Sequence, residues 1–235
     1  ETGNTPILFE KSESLGGQFV LAGAISAKKD FKNAVDKMIL DVQESGIEVH
    51  LNTVVTKEMI EEIKPDALIV AIGSSPFVLS IEGGERAIVA HDVLSERVEV
   101  PGENVVIIGG GLVGFETAEF LAARQKKVTI LEMKEKALQD LGPLRQITAQ
   151  FAMAQMPITI ETSAVVERID DKVVVASGKE YPYDSVIMAV GSKANDTSMY
   201  ANLDIPTYIV GDCKKAGIAL DAFKDAYHAV LEINK

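Results

Sequence analysis

Residues 104–132, NVVIIGGGLVGFETAEFLAARQKKVTILE, narrow the folds open to this chain more than any other stretch. Residues 105–108 are an unbroken run of β-branched apolar side chains, the pattern of a strand buried on both faces of a parallel sheet. The run stops at Gly109, Gly110 and Gly111. Leu112, Val113 and Gly114 follow and complete G-x-G-x-x-G. From Leu112 onward Val113, Ala118, Phe120, Leu121 and Ala122 sit among Glu116, Thr117 and Glu119, as in a packed helix. A second strand, Lys127–Leu131, ends on Glu132. Strand, glycine turn, helix, strand and terminal acid therefore follow one another within one βαβ unit.

Each part has a physical role in holding a dinucleotide. Gly109 permits a sharp turn out of the strand, and Gly111 leaves no Cβ between backbone and a pyrophosphate. Gly114 lets the helix lie close on the sheet. The helix N-terminus offers unpaired N–H groups and a partial positive charge to phosphates. Glu132 stands where an acid accepts hydrogen bonds from the adenosine ribose. An acid there favours NAD over NADP, because a 2′-phosphate would meet a like charge; Lys134 and Lys136 lie just beyond and soften that preference.

Charge and cysteine usage exclude several other classes. With 23 basic against 35 acidic residues the net charge is −12, and no cluster of Lys and Arg suggests a nucleic-acid or anionic-membrane surface. The longest apolar run, around residues 105–115, is too short and glycine-rich to span a bilayer. One cysteine, Cys213, leaves no internal disulfide and no C-x-x-C pair, and it reads as a small buried residue. His50, His91 and His228 show no metal-ligand spacing. Glu61-Glu62 and Asp170-Asp171 read as solvated charges. The expected setting is cytoplasmic, with no secretory signal at the start.

The chain also carries an internal duplication. Residues 5–10, TPILFE, read as a strand ending in the acid Glu10, placed as Glu132 is, and residues 11–18 as a polar loop. This is the second strand of a βαβ unit without its first strand and glycine turn, and residues 1–4 read as the tail of the absent helix. Asp30 is the expected N-cap of a helix over 31–44, with Phe31, Val35, Met38, Ile39 and Val42 on a core face. Residues 47–51 alternate as a strand, and Thr56 caps a short helix KEMIEEI. Residues 67–71 form a buried strand running into Ile72-Gly73-Ser74. Residues 81–102 lack long periodicity and read as a crossing between domains. Beyond the loop 133–143 come a helix over 144–155 and an antiparallel meander of strands 164–169, 172–176 and 180–190. The last strand ends in Val190-Gly191-Ser192, which repeats Ile72-Gly73-Ser74. A final strand, 207–210, leads into Gly211-Asp212 and a helix over 217–233, and Gly-Asp after a strand suits close approach of backbone to a cofactor. The expected fold is α/β: two Rossmann-like dinucleotide-binding domains with parallel sheets and an antiparallel meander, the first truncated at its N-terminus. The expected domains are 1–100 with 205–235, and 101–204.

The sequence resembles the two-dinucleotide-binding-domain flavoprotein reductases of the pyridine nucleotide-disulfide oxidoreductase superfamily. Within them it is most similar to the NADH:flavin oxidoreductases related to 2-enoate reductase, 2,4-dienoyl-CoA reductase and trimethylamine dehydrogenase. LFEKSESLGGQ, DALIVAIGSSP, VVIIGGGLVGFETAEFLA, DSVIMAVGSKAN and YIVGDC carry the resemblance in family order. It implies that Glu10 holds the FAD adenosine ribose and that Gly16, Gly17 and Gln18 line the adenine–pyrophosphate side. Ala71, Ile72, Gly73 and Ser74 would pass near the dinucleotide, Asp212 after Gly211 would bond the ribityl chain, and backbone near Gly217 would face the flavin. Gly109 to Gly114 and Glu132 would hold the nicotinamide cofactor, with Gly191 at its edge. The same resemblance implies an N-terminal barrel carrying FMN, with a 4Fe-4S cluster, in parts outside this chain. Electrons would pass from NADH to FAD, cluster, FMN and an activated alkene. Ile72 departs from the family's usual threonine, and the FAD glycine turn has no match. The expectation is therefore a fragment cut within the first helix of the FAD half, with weakened FAD binding and a complete NAD half. Positioning and water exclusion dominate hydride transfer, so no catalytic residue is expected. The alternative is a nucleotide-binding module that holds ADP or NAD without turnover.

Overall fold

The computed structural model describes residues 3–25 and 28–234. Its backbone falls into two units, one formed by residues 1–23, 30–75 and 192–235 and the other by 24–29 and 76–191. The first unit opens with β1 (Ile7–Phe9), α1 (Gly17–Leu21), α2 (Lys29–Glu44), β2 (Glu48–His50), α3 (Lys57–Ile63), β3 (Leu68–Val70) and β4 (Ser74–Pro76). The second comprises β5 (Ile88–Val89), α4 (Ala90–Leu94), β6 (Asn104–Ile108), α5 (Leu112–Ala122), β7 (Lys127–Leu131), α6 (Pro143–Gln155) and β8 (Ile158–Glu161). It continues through β9 (Val166–Ile169), β10 (Val173–Ala176), β11 (Lys179–Pro182) and β12 (Ser185–Met188). The chain then returns to the first unit with β13 (Ser192–Ala194), β14 (Thr207–Ile209) and α7 (Ala219–Ile233).

The second unit is built on a five-stranded sheet in the order β5-β12-β6-β7-β8, all pairs parallel. Its centre is β6, whose Val105, Val106, Ile107 and Ile108 are all buried. One face of the sheet packs on the antiparallel sheet β11-β10-β9, where Val106, Ile108 and Val186 meet Ile169, Val174 and Ala176. Helix α5 packs against β6, β7 and β8. Register fixes what this sheet can present. Ile108 pairs with both Leu131 and Met188, so β6, β7 and β12 end level and their next residues emerge at one carboxyl edge.

Several elements differ from the sequence expectations, each for a physical reason. The strand expected over 180–190 is two strands. Asp184 turns aside between them and accepts hydrogen bonds from the backbone N–H of Glu103 (3.0 Å) and Asn104 (2.8 Å), so β11 stays in the meander while β12 joins the parallel sheet. Strand β8 lies outside the sequence expectations: only Met156 and Pro157 separate it from α6, and it is a strand because β7 lies beside it. Residues 81–102 hold β5 and α4, and β5 is an edge strand of the main sheet.

In the first unit α2 begins at Lys29, so Asp30 lies in its first turn rather than at its N-cap. Of the face expected in the core, only Val35 is buried; Phe31 and Met38 are each 41% exposed. Thr56 caps α3, its Oγ accepting from Met59 N at 3.3 Å. Glu1 and Thr2 of the expected helix tail lie outside the described residues, and Gly3 and Asn4 are not helical.

The sheet of the first unit is split into two parallel pairs, β1-β2 and β14-β3. The repeated motifs align β1, ending before Glu10, with β7, ending before Glu132, and β3 with β12. The pairs β1-β2 and β14-β3 thus match the flanks β7-β8 and β5-β12. The position filled by β6 in the second unit has no counterpart among the described residues. Packing reflects this. The strand residues Ile7 and Ile69 are each 40% exposed, and one buried cluster gathers Ile60, Val70, Tyr200 and Cys213.

Candidate nucleotide sites

At the carboxyl edge of the second unit's sheet, Gly109 turns the chain out of β6 with φ +108°, a conformation side chains resist. A Cβ there would stand 2.3 Å from Ala189 O. The turn closes on itself tightly: a Cβ on Gly114 would lie 2.0 Å from Gly109 O, so only glycine lets α5 start this close to the strand end. Glu132, 8% exposed at the end of β7, accepts a hydrogen bond from Gly110 N at 2.8 Å with one oxygen and from Lys134 N at 2.8 Å with the other. A buried carboxylate survives only with such partners, and each oxygen keeps a further lone pair for a hydroxyl. Leu112 and Val113 form the first turn of α5, which carries no acidic residue of its own. Gly191, with φ +98°, follows β12, and its carbonyl accepts from Phe77 N at 2.8 Å.

Three features of this site escaped sequence reasoning. The N–H of Leu112 donates to Asp140 Oδ2 at 2.9 Å, a carboxylate from the loop after β7. Glu116 and Glu119 are buried within α5, and they pair with Lys28 and Arg145 respectively. The signal for the second pair was present: a helix apolar on nearly every side cannot bury two carboxylates without cations. Asp140 had no such signal, because its partner is a backbone amide far from it in sequence.

In the first unit the resemblance-derived residues divide into two groups. Gln18, Ser74, Asp212 and Gly217 form one hydrogen-bonded cluster. Gln18 Nε2 donates to Ser74 O at 2.6 Å, Ser74 Oγ donates to Asp212 Oδ2 at 3.0 Å, and Gly217 N donates to Asp212 Oδ1 at 3.2 Å. Gly73, at φ +70°, and Ile72 border the cluster, and both of their carbonyls accept from Asn195. Ala71 follows β3 directly, and Gly211, at φ +65°, donates to Asp225. Glu10 forms a second place, at the end of β1, where it accepts from Ser12 N at 2.7 Å. Gly16 and Gly17 both have positive φ and open α1. Sequence spacing did not foresee Ser74 as the bridge between Gln18 and Asp212.

The glycine turn, the level strand ends and the buried Glu132 match a known pattern of protein. The model of the pyridine nucleotide-disulphide oxidoreductase family matches residues 4–215. The chain belongs to that family. Among relatives of this chain, an NADH oxidase from Thermoanaerobacter brockii is 32% identical over 98% of the chain, and a cinnamate reductase from Clostridium sporogenes is 35% identical over 98%. The chain spans only 38% and 36% of those two proteins. The structure of a 2-naphthoyl-CoA reductase complex superposes with a TM-score of 0.88 at 29% identity, covering 97% of the chain and 36% of the other. A bilirubin reductase from Mediterraneibacter gnavus is 31% identical. The family's α/β dinucleotide-binding fold and its similarity to the enoate-reductase branch are thereby shown. Among the described residues no helix is long and apolar enough to cross a membrane.

Proposed function

We propose that the second unit binds NAD(H), and that the chain is the nucleotide-handling part of an enzyme passing hydride from NAD(P)H to FAD. The observation that carries this reading is Glu132: a buried carboxylate locked by two backbone amides at the end of β7, level with a glycine turn no side chain could replace. In this reading the backbone of residues 109–114 holds the diphosphate and Glu132 the adenosine ribose, with Gly191 at the nicotinamide's edge. The negative charge of Glu132 favours NAD over NADP.

FAD belongs to the first unit in the same proposal. Asp212, Gly217 and, joined to them through Ser74, Gln18 fit the ribityl–flavin side; Gly16, Gly17 and Glu10 fit the adenosine side, with Ala71, Ile72, Gly73 and Gly211 lining the backbone approach. The diphosphate-binding turn for FAD would come from a strand–turn–helix segment between β1 and β3. That reading is supported by the split sheet and by the exposed Ile7 and Ile69 flanking the break. A barrel domain with FMN and a 4Fe-4S cluster is part of the proposal too, in keeping with the 36–38% of its relatives that the chain spans. The proposed setting is cytoplasmic. When bound, the nicotinamide supplies a hydride and the flavin accepts it; the chain's own residues bind, orient and exclude water.

Titration with NADH, followed by its fluorescence, tests the site. Saturable binding in competition with ADP is expected, and Gly111→Leu should abolish it; unchanged affinity in that variant overturns the reading. NADH-dependent reduction of added FAD or a dye then tests turnover.

A further inference from the structure

Asp140 lies where the proposed function places a phosphate. Its Oδ2 accepts from Leu112 N, the first amide of α5, at 2.9 Å, and a Cβ on Gly111 would stand 2.9 Å from that same oxygen. The space left by the missing side chain of Gly111 is thus filled by a carboxylate. Nothing in the first turn of α5 supplies that charge, so it is delivered from outside the helix.

The loop that delivers it is clipped in place on both sides. Leu138 N donates to Gly110 O at 2.9 Å, while the side chains of Leu138 and Leu141 are buried. Gln146 Nε2 donates to the carbonyls of Leu138 (3.2 Å) and Leu141 (2.9 Å), tying the loop to the first turn of α6. Asp140 itself is exposed, held between two buried leucines. An exposed side chain can swing away without unpacking either neighbour.

We infer that Asp140 is a built-in competitor for the dinucleotide diphosphate: it caps α5 when the site is empty and must leave Leu112 N before the diphosphate can dock. The inference rests on the proposed dinucleotide reading and adds to it a residue that sets affinity. Two anions cannot share one amide and one helix N-terminus, since each is drawn by the same N–H and partial charge and repels the other. Asp140 therefore lowers affinity for any ligand that brings a phosphate there. Its effect on adenosine, which brings none, is nil.

Asp140→Asn keeps the shape and an acceptor oxygen but removes the charge. A carboxylate at a helix N-terminus is worth about 0.3–2 kcal/mol, which converts to NADH and ADP binding about two- to thirtyfold more tightly to the variant. Adenosine affinity should not change. Asp140→Ser, a second neutral cap, should show the same gain, and NADH should shift the Leu112 amide resonance in both variants and wild type. Unchanged or weaker NADH binding in both folded variants, with wild type still binding, overturns the inference alone. Failure of wild type to bind NADH at all overturns the dinucleotide reading together with it.

Discussion

Glutamate 132 carries more of the site than any other side chain, and replacing it by glutamine separates its charge from its shape. Each carboxylate oxygen accepts a backbone N–H at 2.8 Å in a place only 8% exposed. Glutamine keeps one acceptor but turns an NH2 toward the other amide, leaving a buried donor facing a donor. Loss of one charge-assisted hydrogen bond costs about 1.5–3 kcal/mol. Removing a buried charge returns part of its desolvation cost, which leaves a net loss of about 2 kcal/mol. For a chain of this size that lowers Tm by roughly 4–8 °C. Thermal unfolding followed by circular dichroism measures the shift, with Glu132→Asp as a charge-conserving comparison. NADH titration on the same variant should show weakened binding, because the ribose loses an anionic acceptor. A Glu132→Gln protein melting within about a degree of wild type would refute the claim that this carboxylate organises the turn.

Gly114→Ala places a Cβ 2.0 Å from Gly109 O, a backbone atom that cannot rotate away, so α5 must slide from the strand end. Overpacking of this kind costs about 1–3 kcal/mol, and denaturant unfolding should show the loss alongside weaker NADH binding; wild-type stability in the variant would contradict the close approach. Asp184 is held below its ordinary pKa of 3.8 by the backbone N–H of Asn104, then that of Glu103 and the Asn104 side chain. A carboxylate with a depressed pKa contributes stability that is present above its unfolded value and lost as pH falls through the folded one. The stability gap between wild type and Asp184→Ala should therefore be full at neutral pH and close as pH drops below 3.8. Acid titration of both proteins by circular dichroism checks this, and a gap independent of pH contradicts it.

Much of the second unit was legible in residues that act locally. The β-branched run of β6, the glycines that alone tolerate the turn and the acid closing β7 all announce themselves within thirty residues. The same holds for Thr56, whose hydroxyl caps α3 by accepting from an amide three residues on. What depends on partners distant in sequence was not legible. Asp184 breaks a strand because it reaches the amides of Glu103 and Asn104, and β5 is a strand because β12 lies beside it. Asp140 meets Leu112 only because buried leucines clip its loop onto the glycine turn.

The first unit shows the same division from the other side. Apolar periodicity marked α2 as a core helix, yet Phe31 and Met38 remain well exposed, because periodicity states which face seeks burial and not whether anything covers it. Local chemistry along the chain therefore determined strand β6, the glycine turn and the acid that ends β7. Pairing across the sheets decided which strands became neighbours, which carboxylates met an amide or a cation, and where the sheet of the first unit breaks. Such contacts join residues that only the folded chain brings within hydrogen-bonding distance.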